Sequence, residues 1–70
     1  MSKQLRFLAF AAEYYRNQHG LTGVELADLF TQHGIYQLIM DNYFLYHIES
    51  PDNMVADIDH YIAIGQVMGA

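Results

Sequence analysis

Two copies of the tripeptide Gln-His-Gly, at residues 18–20 and 32–34, and a lone proline, Pro51, divide the 70-residue chain into four segments of helical length. A glycine just past the last turn of a helix takes the left-handed conformation without steric cost. A histidine in that turn suits the negative end of the helix dipole. Gly20 and Gly34 therefore read as helix stops, and Ser50-Pro51-Asp52-Asn53 as a third. The segments after the two tripeptides differ, so the pair marks two separate helix endings rather than a repeat.

The first helix is expected over about residues 3–18, with Leu5, Leu8, Ala12 and Tyr15 in one stripe and Phe7, Phe10, Ala11 and Tyr14 beside it. The second, about 22–32, opens on Thr22 with Glu25 three residues later, the spacing of a capping box. Its apolar set is Val24, Leu26, Ala27, Leu29 and Phe30. The third, about 35–48, is apolar almost all round, which predicts a central helix covered on several sides. The fourth, about 52–64, turns Val55, Ile58, Tyr61 and Ile62 inward, and Gly65 and Gly69 suggest fraying beyond it. No run alternates at period two. The expected fold is all-α: a compact bundle of four short helices, without a sheet, in one domain over residues 1–70.

A chain of this length buries only about 60% of the surface its unfolded form exposes, so a lone core is marginal. Yet 53% of the residues are apolar or aromatic, among them six Tyr, four Phe and four Met. Part of that excess is expected at a protein interface, with a crowded small core as the alternative. There is no cysteine, hence no disulfide and no thiolate metal site. Stability must then come from helix packing or from association. The apolar run Phe7–Ala12 is too short for a signal peptide, and no stretch approaches a membrane span. A cytoplasmic protein is expected.

Charge narrows the partners. Lys3, Arg6 and Arg16 are the only basic side chains; the 54 residues after them hold seven carboxylates and no Lys or Arg. Such a field repels phosphate backbones and anionic lipid, and attracts basic protein surfaces. Direct nucleic-acid binding needs a cationic stripe that three charges cannot make. An acidic inhibitor that mimics nucleic acid stays open as an alternative.

The residues point to no chemistry. His19 and His33 are explained as helix ends, and His60 with Asp57 lacks the further ligands zinc requires. Ser50 sits in a turn, Thr22 caps a helix, and no glycine-rich phosphate loop is present. Neither an enzyme nor a cofactor or metal site is expected. Protonation of the four histidines would lower the negative charge, which leaves a pH response open.

The remaining signal is aromatic. With Leu38, Ile39, Leu45 and Tyr46 turned inward, Tyr36, Met40, Tyr43 and His47 gather on a neighbouring face, flanked by Asp41. Those five, with Asp57 and Asp59, are the expected partner-binding residues: large apolar contact, hydroxyl handles and a negative rim. Core packing is the competing reading for the aromatics, and helix-start charge for Asp57. A homodimer that buries the apolar excess is a further alternative.

The ordered segments Leu21-Thr22-Gly23-Val24-Glu25, Leu29-Phe30, Gly34-Ile35, Tyr43 to His47 and Asp57-Ile58-Asp59-His60-Tyr61-Ile62 carry a resemblance. Over roughly residues 5–64 the chain resembles the small bacterial proteins grouped as domain of unknown function 3791. It departs from them at Tyr46-His47-Ile48, where Leu-His-Thr is frequent, and in the Ser50–Asn53 loop. The resemblance implies no activity of its own. It implies neighbours with an ADP-ribosyltransferase-like fold, and hence an antitoxin, immunity or accessory partner of such a protein.

Overall fold

Gly20 and Gly34 both stand in the left-handed region, at φ 62° and 66°, where any side chain would strain the backbone. Each closes the helix before it: the Gly20 N–H donates to the Arg16 and Asn17 carbonyls, and the Gly34 N–H to those of Phe30 and Thr31. In this computed structural model, which describes residues 2–65, five helices succeed one another. They are α1 (Lys3–His19), α2 (Gly23–His33), α3 (Ile35–Asp41), α4 (Tyr43–Tyr46) and α5 (Pro51–Ile64). No strand occurs among the described residues. The fraying expected at Gly69 lies outside them.

Local chemistry accounts for most of these ends. Ser2 Oγ accepts from the Leu5 N–H at 3.0 Å and opens α1. The Arg16 guanidinium donates to the Leu21 carbonyl at 3.0 Å, tying down the corner into α2. There the capping box is complete: the Glu25 N–H donates to Thr22 Oγ1 at 3.1 Å, and the Thr22 N–H donates to Glu25 Oε1 at 2.8 Å. Those bonds hold the Glu25 carboxyl below the usual carboxylate range, the backbone one contributing most. Gly34 alone joins α2 to α3. Pro51 occupies the first turn of α5, where its missing N–H costs nothing.

The expected third helix does not run unbroken over 35–48. It stops at Asp41 and resumes as the four-residue α4 after Asn42, at φ −111° and ψ 22°. The Asn42 side-chain amide donates to the Leu38 carbonyl at 2.9 Å, the same oxygen that receives its backbone N–H at 3.1 Å. Asparagine competes with the backbone in this way and interrupts helices.

The core takes Ala11 and Tyr15 from α1, Leu26 and Phe30 from α2, and Ile35, Leu38 and Ile39 from α3. Tyr46 of α4 and Met54 and Ile58 of α5 complete it. Burying each large apolar side chain contributes about 1.5–3 kcal/mol. Several expectations shift, among them Leu5, placed on the core stripe of α1 and found half exposed. Leu45, assigned inward, is exposed because the break at Asn42 ends the face it was counted on. Val24 and Ala27 point to solvent from α2. Met54 takes the sealed position on α5, while Val55, Tyr61 and Ile62 are half-buried. Phe10, placed beside the core stripe of α1, remains exposed.

Candidate functional site

Among the described residues, three tyrosine hydroxyls donate to carboxylates of α5. Tyr14 donates to Asp52 Oδ1 at 2.5 Å, Tyr15 donates to Asp59 Oδ1 at 2.6 Å, and Tyr46 donates to Asp57. His19 Nε2 lies 3.1 Å from the same Asp59 carboxylate. Burial, then the hydrogen bond to the carboxylate, pushes the Tyr15 and Tyr46 hydroxyls well above the ordinary tyrosine range. The phenols therefore stay protonated and donate. Along α1, Tyr14 lies beside Asp52, and Tyr15 and His19 lie beside Asp59.

This placement bears on two expected contact residues. Asp57 sits in the middle of α5 rather than at its start, and both Asp57 and Asp59 bind tyrosines within the chain. They hold the fold. Tyr36 packs edge-on against Phe30, with ring centroids 5.3 Å apart, and Met40 is half-buried. Asp41 accepts from the Gln37 side-chain amide at 2.7 Å. These residues are separated from the other two expected contacts, Tyr43 and His47, by the break at Asn42.

Tyr43 and His47 belong to an aromatic band that crosses from α1 to α4. Rings succeed one another in the order Tyr14, Phe10, Phe7, Tyr43, Phe44, with successive centroids 5.5–6.0 Å apart. His47 stacks on Tyr43 at 4.5 Å with nearly parallel planes. Its Nδ1 lies 2.9 Å from the Tyr43 carbonyl, which can only accept, so Nδ1 carries the proton. Helical spacing sets Lys3, Phe7, Phe10 and Tyr14 along one side of α1 at i, i+4, i+7 and i+11.

Beneath the band lies a cleft of about 190 Å³, walled by Phe7, Phe10, His47, Glu49 and Pro51 with Tyr46 and Met54 at its floor. A second cleft, about 330 Å³, adjoins it through Glu49 and is lined by Leu45, Asn53, Ala56 and Asp57. Of the lining residues Leu45 (52% exposed) and Phe10 (48%) are open to solvent, and Phe44 (77%) and Ile48 (75%) flank the cleft residue His47, in ring contact and in the chain. Sequence reasoning missed Phe44, Ile48 and Leu45 because it gave them a long helix to be buried on. The signal available was Asn42 itself, a poor interior helix residue ahead of an apolar run.

Chemically this surface offers apolar contact and a carboxylate rim. Among the described residues no group of three or more His, Cys, Asp or Glu is placed to hold a metal ion. No described helix is long and apolar enough to cross a membrane. No curated protein and no solved structure matches the chain. The family described as protein of unknown function (DUF3791) does match, over residues 6–63, from the first turns of α1 almost to the end of α5. With that match spanning more than half of its length, and with the expected order of segments in place, the chain belongs to the DUF3791 family.

Proposed function

We propose that this protein is a non-enzymatic protein–protein interaction module whose contact surface is the α1–α4 aromatic band. One observation carries the reading: Phe44, its ring 6.1 Å from that of the cleft residue His47, and Ile48, next to His47 in the chain, are 77% and 75% exposed. Apolar side chains gathered next to a cleft mark interaction surfaces, whereas isolated ones need no explanation. The rim is negative, with Glu49 in both cleft walls and Asp52 at the start of α5. A polypeptide that brings apolar side chains and cationic groups fits both features. The antitoxin, immunity or accessory role implied by the family resemblance is one use of such a surface, with an ADP-ribosyltransferase-like protein as its partner.

The test is a photo-crosslinking residue placed at Phe44, and separately at Asp28 on α2, in cells that make the protein. Crosslinks to a polypeptide from position 44 and none from position 28 are the expected result. Position 44 yielding no protein adduct at all sinks the interaction reading.

A further inference from the structure

We infer that a second copy of this chain covers the aromatic band, docked about a twofold axis so that the α1 end of each copy meets the α4–α5 corner of the other. This occupant presupposes the interaction surface proposed above.

Charge is ordered along that surface. Lys3 and Arg6 are exposed, and neither has a carboxylate within ion-pair distance among the described residues, whereas Arg16 is paired with Glu13 at 2.5 Å. Lys3 lies two turns before Phe10 on the same side of α1, and Arg6 one turn before it. Along α1, Phe7 packs on Tyr43, Phe7 and Phe10 share a cleft with Glu49 and Pro51, and Tyr14 donates to Asp52. The α1 side of the band is thus positive toward Lys3 and negative toward Asp52, with Phe10 exposed between them and Phe44 exposed at the α4 end of the ring series.

A surface with that polarity is complementary to itself once turned by half a revolution. Isologous dimers require this property, since each contact occurs twice. The twofold arrangement sets Lys3 and Arg6 of α1 against Glu49 and Asp52 of the second copy and joins the two apolar centres. No other part of the chain supplies cations for that rim, because no Lys or Arg comes after Arg16. Paired charges at the two ends offset the repulsion between copies of net charge −5.

Light scattering across a dilution series, in dilute buffer and at physiological salt, tests the proposal. The mass is expected to rise with concentration from the 8.1 kDa of one chain toward twice that value. Two charge-reversed chains, Lys3→Glu with Arg6→Glu, and Glu49→Lys, are each expected to remain at the mass of one chain while keeping the helical circular dichroism. Mixed together they restore both contacts of the twofold and return to the doubled mass. Should Glu49→Lys disturb folding, Glu49→Gln is expected to weaken association several-fold. A single-chain mass up to millimolar concentration overturns the proposal, as does a dimer indifferent to these charges or a mixture that stays dissociated. A crosslink from position 44 to a different protein, with this chain monomeric, overturns the second-copy occupant and leaves the interaction reading intact.

Discussion

Helix α2 uses eleven residues to seal Leu26 and Phe30 in the core, whereas α4 uses four and leaves Phe44 at 77% exposure. Both are rich in apolar side chains. α2 has a full capping box at one end and a left-handed glycine at the other, so its length and rotation are fixed before tertiary contacts form. α4 has no side-chain cap and begins at the asparagine that ended α3. It touches the body through Tyr46 and the edge of Tyr43, and the rest of its apolar surface faces outward. Apolar content alone does not decide burial; a helix must also be long enough, and held at its ends, to present one face inward.

Removing core from the α2 side breaks the contrast most severely. Phe30→Ala is expected to cost about 3–5 kcal/mol, comparable to the whole stability of so small a domain, and urea titration should find it largely unfolded. Phe30 has no exposure, so a mild loss there would mean that the core is looser than its packing implies.

Next come the tyrosines that tie α5 down. Tyr15→Phe and Tyr46→Phe are each expected to cost about 1–3 kcal/mol, read as a fall in thermal midpoint of several degrees. Their pH signature has a definite sign. Tyrosine in an unfolded chain ionises near pH 10. Burial first, and the carboxylate bonds second, raise both hydroxyls in the folded state, so the folded chain retains protons that the unfolded chain loses. Their contribution is whole below about pH 10 and shrinks as pH climbs beyond it. The double Phe variant should show a flatter decline above pH 10; an unchanged slope would separate the hydroxyls from the alkaline transition.

A smaller effect sharpens the account of helix ends. Thr22→Ala should remove about 1 kcal/mol by opening the capping box. Glu25 is held low by the same bonds, so its contribution is present above the ordinary carboxylate range and fades as pH falls through it. The Thr22→Ala chain should therefore lose less on acidification than the parent, measured by chemical denaturation at pH 7 and pH 3.5.

Smallest of all is the change at the band. Phe44→Ser should alter the stability of the isolated chain by no more than about 0.5 kcal/mol, because the ring is mostly in water already. A large loss would place Phe44 in the fold rather than on an interface.

The parts of this architecture readable from residues were those governed by neighbours in sequence. Gln-His-Gly ended two helices, Thr22 with Glu25 began one, and the expected bounds of α1 and α2 fall within one residue of those observed. Helix type emerged from spacing alone. What stayed hidden depended on contacts between distant residues. The break at Asn42 was overlooked because the apolar count was continuous across it. The engagement of Asp57 and Asp59 by Tyr46 and Tyr15 joins residues 11 and 44 positions apart, which no local pattern reports. Of the seven expected contact residues, Tyr43 and His47 lie on the aromatic band and Asp57 lines the adjoining cleft, while Tyr36 packs on Phe30 and both α5 aspartates also accept from tyrosines within the chain.

Gly34 closes α2 and opens α3 with no residue to spare, since it is the cap of both. Each residue added to a helix rotates the chain beyond it by about 100°. One alanine inserted beside Gly34 would swing Ile35, Leu38 and Ile39 off the interior and into water. The same insertion within the turn at residues 47–50, where His47, Ile48 and Ser50 already face solvent, would fall on a part of the chain with room to absorb it. Length variation is therefore forbidden at the first of these corners by the core, whereas at the second it would spare the core and fall on the proposed contact surface, which His47 and Glu49 line.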